Sequence, residues 1–309
     1  MIRVLFAASS SDWEEYEEVL PRAVSDAGIE AEIVTEADPQ TVDYIVYAPS
    51  SAVQDFRPYT GLKAVLNLWA GVENVVRNPT LTVPLCRMVD PGMTEGMVEY
   101  CVGHALRHHL GMDQDILRTD ARWQPHVPPL ARDRRVTVLG LGELGGEVAQ
   151  ALCRMNFDVA GWSRSPKSIA GIDCLSGDDG LVAALGRAEI LILLLPLTDA
   201  TRGLLGAERL ALMPEGAFII NPGRGPLIDD DALLAALDSG HIAHATLDVF
   251  RVEPLPPGHP YWAHPGVTVT PHIASDTRAG TAAQVIAENI RRGEAGEPFL
   301  HLVDRAAGY

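Results

Sequence analysis

Basic residues are scarce in this sequence. Its 309 residues hold 24 Lys and Arg against 41 Asp and Glu, a formal net charge of −17 at pH 7. So negative a chain repels phosphate backbones and anionic bilayers, so no nucleic acid and no membrane is expected as a partner, a local basic patch aside. Cysteine is nearly lacking. Cys86, Cys101, Cys153 and Cys174 have no C-x-x-C spacing and read as reduced, mostly buried thiols. Long hydrophobic runs are missing as well; Ile190 to Leu195 is far too short to span a bilayer. The opening residues read as a strand, without the apolar length and cleavage site of a signal peptide, so a cytoplasmic protein is expected. Metal motifs are also lacking. His104 and His108 stand at i, i+4, but no carboxylate completes an H-E-x-x-H pattern; with His109 they read as a helix surface or a subunit contact, and no metal is expected.

What remains is a chain long enough for two domains, patterned as alternating strands and helices. Strands are predicted at Ile2 to Ala7, Ala31 to Val34, Tyr44 to Tyr47 and Ala64 to Leu68, with a helix from Asp12 to Ala27. A long helix is predicted from Met97 to Thr119, then a proline-rich loop from Trp123. Further strands follow at Val136 to Leu139, Asp158 to Trp162, Ile190 to Leu195, Phe218 to Asn221, Ala245 to Val249 and Val267 to Thr270. Leu181 to Leu185, Asp230 to Ser239 and Thr277 to Gly293 read as helical. Such alternation predicts an α/β fold with parallel sheets. Leu68 to Val72 leaves its sheet at a strand's carboxyl end, where open α/β sheets bind ligands.

The second half is organised around Val136 to Leu152. A β-branched run turns into Gly140-Leu141-Gly142-Glu143-Leu144-Gly145, and helix formers follow. This is the strand–turn–helix order of a dinucleotide-binding unit. Gly140 permits the turn, Gly142 lets backbone approach a pyrophosphate, and Gly145 lets helix pack on strand. Free N–H groups at the new helix start suit phosphate. A glycine-rich turn alone is a weak signal; the flanking strand and helix strengthen it.

An NAD site usually carries an acid at the end of its second strand. Here Trp162 runs into Ser163-Arg164-Ser165-Pro166-Lys167, and Asp158 lies at the strand's start, misplaced for that role. Hydroxyls and cations suit a 2′-phosphate. The expected cofactor is NADP(H), with NAD(H) as the lesser possibility.

Three loops past predicted strands each carry a polar residue: Asn221-Pro222-Gly223-Arg224-Gly225, Asp248-Val249-Phe250-Arg251-Val252-Glu253-Pro254-Leu255, and Thr270-Pro271-His272-Ile273-Ala274. Alone, each reads as a surface or satisfied core group. Together, Arg can grip a carboxylate and polarise a ketone, His can donate a proton, and Glu can hold the ring and favour its charged form.

With the fingerprint, these loops resemble the D-isomer-specific 2-hydroxyacid dehydrogenases. Trp69-Ala70-Gly71-Val72-Glu73-Asn74, Asp90-x-Gly92-Met93, Trp162 to Ser165 and Val303-Asp304-Arg305-x-x-Gly308-Tyr309 resemble the glyoxylate/hydroxypyruvate reductase A subgroup. The resemblance implies a Rossmann-type cofactor domain and a smaller flavodoxin-like substrate domain. It divides the chain at 1–102 completed by 274–309, and 103–273. It implies Arg224 on substrate, Glu253 and His272 as the acid–base pair, and substrate contacts at Trp69, Ala70 and Gly71. Implied cofactor contacts are the fingerprint, Trp162 to Ser165, Lys167, Leu195, Pro196, Thr201, Pro222, Gly223 and Asp248, the last at the nicotinamide carboxamide. Pro222 departs from many relatives. The implied substrate is a small 2-keto or 2-hydroxy acid, and the implied assembly a homodimer. Two alternatives stand beside this reading: a dehydrogenase of another small acid, and a nucleotide-sensing corepressor-like protein on the same fold.

Overall fold

The computed structural model describes residues 1–308; Tyr309, which ends the terminal motif, lies outside them. The chain divides into two compact units, Met1–Met93 with the segment from Asp276 on, and Thr94–Ser275.

The first unit holds one parallel sheet of β1 (Ile2–Ala7), β2 (Ala31–Val34), β3 (Tyr44–Tyr47), β4 (Ala64–Asn67) and β5 (Leu85–Cys86), in the order β2-β1-β3-β4-β5. That is the flavodoxin-like order. Its inner strands are buried on both faces, which is why they read as unbroken apolar runs. The predicted helix over 12–27 is two helices, α1 (Ser10–Tyr16) and α2 (Val19–Asp26). Pro21 cannot donate to a preceding turn, so it is tolerated only where no donor is needed, in the first turn of α2. A Ser9–Asp12 capping box fixes the start of α1. The C-terminal helix Ala279–Ala295 belongs to this unit and packs on α2; Tyr44 donates to its Glu294 at 2.7 Å.

The predicted helix over 97–119 is α3 (Pro91–Leu110), followed by the short α4 (Asp113–Ile116). Asp90 accepts from the Met93 N–H at 3.1 Å and Pro91 takes the first helical position, a strong start signal.

The second unit holds a seven-stranded parallel sheet: β6 (Arg135–Leu139), β7 (Asp158–Ser163), β8 (Asp173–Ser176), β9 (Ile190–Leu193), β10 (Ala217–Asn221), β11 (Ile242–Leu247) and β12 (Val267–Val269). Their order is β12-β11-β10-β9-β6-β7-β8, the doubly wound pattern that reverses direction between β6 and β9. The intervening helices are α5 (Glu143–Arg154), α6 (Gly177–Arg187), α7 (Ala207–Leu210) and α8 (Asp230–Asp238), and Ala279–Ala295 is α9. Ile190 and Ile192 enter one core cluster, Leu191 and Leu193 another, so β9 is covered on both faces. Each such side chain contributes about 1.5–3 kcal/mol when fully buried.

Candidate active site

The reversal of strand order opens a crevice at the carboxyl ends of β6 and β9. The fingerprint turns there. Gly140 has φ +109, and a Cβ on it would come within 2.5 Å of the Leu194 carbonyl. A Cβ on Gly145 would overlap the Gly140 carbonyl. Both positions therefore require glycine, one for conformation and one for close packing. Gly142 differs: nothing lies within 4 Å of where its Cβ would sit. It caps α5 with extended backbone and no side-chain acceptor on the first N–H groups. A bare backbone beside an uncapped helix start fits a pyrophosphate.

Asp158 pairs with Arg187 at 2.6 Å, far along β7 from its carboxyl end. Trp162 is buried and donates through Nε1 to the Gly177 carbonyl at 2.8 Å. Ser163 is also buried, and its hydroxyl donates to the Ser165 carbonyl at 2.7 Å. It shapes the turn, so the exposed polar set here is Arg164, Ser165 and Lys167. After β9, Leu195 packs in the core. The Thr201 hydroxyl donates to the Pro196 carbonyl at 2.7 Å and accepts from the Thr198 N–H at 2.8 Å, stapling that loop.

Arg224 follows β10. Asn221 is 1% exposed; its amide donates to the Arg224 carbonyl at 3.0 Å and its oxygen accepts from the Gly223 N–H at 3.2 Å. Gly223 itself passes so close to β9 that a Cβ would stand 2.7 Å from the Leu193 carbonyl. Arg224 donates to the Gly223 carbonyl at 2.7 Å. The buried Asn221, not singled out in the sequence as a site residue, thus fixes the loop that presents Arg224.

Glu253 and His272 come together from loops 19 residues apart: His272 Nδ1 lies 2.7 Å from Glu253 Oε2. The other carboxylate oxygen, Oε1, accepts from the Phe250 N–H at 2.8 Å, so Glu253 is held at both oxygens. The two side chains are 53% and 35% exposed, leaving the ring open on its far side. His272 has φ +54, a left-handed conformation that costs a non-glycine residue on the order of 1–3 kcal/mol.

Asp248 offsets that cost. Its carboxylate is fully buried and accepts from the Thr270 hydroxyl at 2.6 Å, the Ile273 N–H at 2.9 Å and the Ala274 N–H at 2.9 Å. Its backbone carbonyl accepts from the His272 N–H at 2.9 Å. Hydrogen bonds to a charged group contribute about 1.5–3 kcal/mol each. The carboxylate that the resemblance assigns to a cofactor amide is thus wholly engaged by the histidine loop.

In the first unit, Trp69 is 43% exposed and the loop after β4 is shaped by Asn67, whose amide donates to the Trp69 and Gly71 carbonyls at 2.7 and 3.0 Å. His104 is half-buried, and His108 and His109 do not form the helix surface that was one of the two expectations for them. His108 and His109 are buried, and His108 stacks on Phe218 with centroids 4.8 Å apart. No group of three or more His, Cys, Asp or Glu among the described residues could hold a metal.

Residues 101–274 match the family model described as D-isomer specific 2-hydroxyacid dehydrogenase, NAD binding domain. Solved structures match over the whole chain. A D-isomer specific 2-hydroxyacid dehydrogenase from Xanthobacter autotrophicus Py2, in complex with NADPH and MES, is 43% identical, with 100% of this chain and 99% of that one covered and a TM-score of 0.93. An NADPH-dependent glyoxylate/hydroxypyruvate reductase from Sinorhizobium meliloti, in complex with NADP and sulfate, is 33% identical, with both chains covered at 100% and a TM-score of 0.85. A probable 2-hydroxyacid dehydrogenase from Rhizobium etli CFN 42, with NADP, HEPES and L(+)-tartaric acid, is 30% identical, again with both chains covered at 100%, at 0.87.

Proposed function

The chain belongs to the D-isomer specific 2-hydroxyacid dehydrogenase family, and we propose that within it the protein reduces a small 2-keto acid, glyoxylate or hydroxypyruvate being the model substrates, with NADPH. The observation that carries this reading is the 2.7 Å His272–Glu253 pair, a half-exposed imidazole backed by a carboxylate, in the same unit as the fingerprint. The Sinorhizobium meliloti relative, described as an NADPH-dependent glyoxylate/hydroxypyruvate reductase, supports the substrate class.

When bound, the nicotinamide supplies the hydride. The fingerprint Gly140 to Gly145 and the loops at Leu195, Pro196, Thr201, Pro222 and Gly223 are the residues proposed to hold the cofactor. Arg224 grips the substrate carboxylate with its planar fork and polarises the ketone. With Nδ1 engaged by Glu253, His272 presents Nε2 as the atom that gives a proton to the ketone oxygen. The neutral ring left behind keeps its Nδ1–H on Glu253 and so stays oriented. Trp69, Ala70 and Gly71 are proposed as substrate contacts, supported by the resemblance and by a loop whose carbonyls Asn67 holds. On this reading the first unit is the substrate domain and the second the cofactor domain.

A homodimer is part of the same proposal. Its support is a run of exposed apolar side chains in the second unit, with Ile116, Leu117, Trp123 and Val127 69, 73, 96 and 87% exposed. A cytoplasmic location is proposed on four free cysteines; no helix among the described residues is long and apolar enough to cross a membrane.

The test is kcat/KM over a panel of 2-keto acids with NADPH and NADH, at low and high salt. Arg164, Ser165 and Lys167 should favour NADPH by about 10–100-fold at low salt, with the preference shrinking as salt rises. Arg164→Asp should weaken NADPH and spare NADH. Equal values for both cofactors would reduce the 163–167 loop to a solvated turn. NADPH binding without turnover of any keto acid would favour a nucleotide-sensing protein.

A further inference from the structure

Three side chains distant in sequence form one hydrogen-bonded line behind the histidine loop. Tyr100, from α3, lies 2.8 Å from Thr270 through their hydroxyl oxygens. Thr270 donates to Asp248 at 2.6 Å. A threonine hydroxyl has one hydrogen, and an ionised carboxylate can only accept. The Thr270 hydrogen is therefore committed to Asp248, and Tyr100 must be the donor to Thr270. The line has a fixed direction: Tyr100 O–H to Thr270 Oγ1–H to Asp248 Oδ1. Such chains polarise each bond along them.

The far end of this line is the turn that carries His272. Asp248 accepts from Ile273 and Ala274 through its carboxylate and from His272 through its carbonyl. The His272 N–H also meets the Thr270 carbonyl at 3.0 Å. The hydroxyl of Thr270 is thus held by the Asp248 carboxylate and the left-handed backbone of His272 by the carbonyl of the same residue. Nothing in the proton transfer itself requires Tyr100, yet it is a half-buried phenol whose hydroxyl meets this line. Burial raises its pKa above the ordinary phenol range and outweighs the hydrogen bond with Thr270, which acts the other way, so it remains a donor at working pH.

We propose that Tyr100 is a positioning residue for proton transfer: by donating to Thr270 it locks Asp248 and the 270–274 turn so that the His272 ring stays on Glu253. This rests on the reading of His272 as the proton donor. Removing one neutral donor from a satisfied line is worth about three- to tenfold in rate.

The experiment is a double-mutant cycle on the full-length protein. Tyr100→Phe keeps the ring and removes the hydroxyl; it is measured alone and in the His272→Ala background, with NADPH affinity followed by fluorescence titration. In the wild-type background kcat should fall three- to tenfold with NADPH affinity unchanged. In the His272→Ala background the same change should leave the residual kcat unaltered, because the ring it positions is gone. Thr270→Val should reproduce the loss of Tyr100→Phe, and Thr270→Ser, which keeps the hydroxyl, should restore most of the rate. An equal loss from Tyr100→Phe in both backgrounds, or no loss in either, overturns the positioning role while leaving His272 as donor. Near wild-type turnover by His272→Ala alone overturns the underlying reading and the proposal with it.

Discussion

His272 and His108 lie in the same unit and each engages one ring nitrogen, but their partners differ in kind. His272 meets a carboxylate at 2.7 Å and has a half-exposed side chain. His108 is 4% exposed, meets the Thr246 hydroxyl at 3.0 Å and stacks on Phe218. Its neighbour His244, with ring centroids 5.3 Å away, meets the Thr268 hydroxyl at 2.8 Å. Burial pushes His108 down to about 3 and His244 down to about 4, with nearby His and Arg107 charges acting in the same direction. A carboxylate partner and an open ring suit proton delivery. A hydroxyl partner in the interior suits only a neutral ring, which works there as a packed aromatic with one polar edge. Residue type alone separates neither role; the partner and the access to solvent do.

The largest expected effect breaks the comparison at its active end. His272→Ala should lower kcat by about 10²–10⁴-fold, the usual size of general acid catalysis, with the melting temperature close to wild type because the ring is half exposed. His108→Ala should do the reverse, lowering the melting temperature and sparing kcat. Thermal melts and steady-state kinetics on both variants would decide it; comparable losses of activity from the two would remove the distinction.

The next effect sharpens it. Glu253→Gln keeps the shape and the Phe250 N–H acceptor but takes the charge from beside the ring. A charge-assisted bond is worth about 1.5–3 kcal/mol, so kcat should fall on the order of 10–100-fold with NADPH affinity retained. An unchanged kcat would show that Glu253 only braces the loop.

The two histidine settings were unequally legible in the sequence. The loops of Arg224, Glu253 and His272 stood out as candidates because each follows a predicted strand on the ligand side of a sheet and because the fingerprint ahead of them has a local signature, and Glu253 and His272 do meet. The parallel sheets follow from strand–helix alternation in the same way, whereas their architecture was implied only by the resemblance. His108 and His109 read in the sequence as a helix surface or a subunit contact because apolar residues recur around all of α3 and offer no single buried stripe. Its start was missed at Pro91, although Asp90-Pro91 is a cap followed by a first-turn proline. Strand β5 has too few residues to show a period, and β8, Asp173–Ser176, lacks the apolar run that marks β3, β4 and β9. The contact of Tyr100 was invisible because its partner Thr270, 170 residues away, is set by the tertiary fold; that of Asn221 was invisible because it acts on backbone within its own loop, which leaves no side-chain pattern in the sequence.

The smallest expected effect tests the interior end, as a dependence of stability on pH. The folded pKa of His108, about 3, lies below its unfolded value near 6.5. Between those values the unfolded chain binds a proton that the folded one does not, so stability falls as pH drops from 6.5 and is level above it. His244 acts in the same window. The charged groups facing the pair are Arg107, which opposes protonation, and Asp113, which favours it; these two bond each other at 2.8 Å, so neither cancels the burial. His108 alone should cost about 2 kcal/mol by pH 5, since each pKa unit is about 1.4 kcal/mol. For a unit of this size that is a fall of about 4–8 °C in melting temperature. Substituting His108→Gln leaves an amide able to meet Thr246 but unable to take up the proton. The variant should start lower at pH 7, for want of the ring on Phe218, and lose less between pH 6.5 and 5. Melting curves of the two proteins across that range should therefore converge; parallel curves would mean that the His108 ring takes up its proton in the folded chain as readily as in the unfolded one.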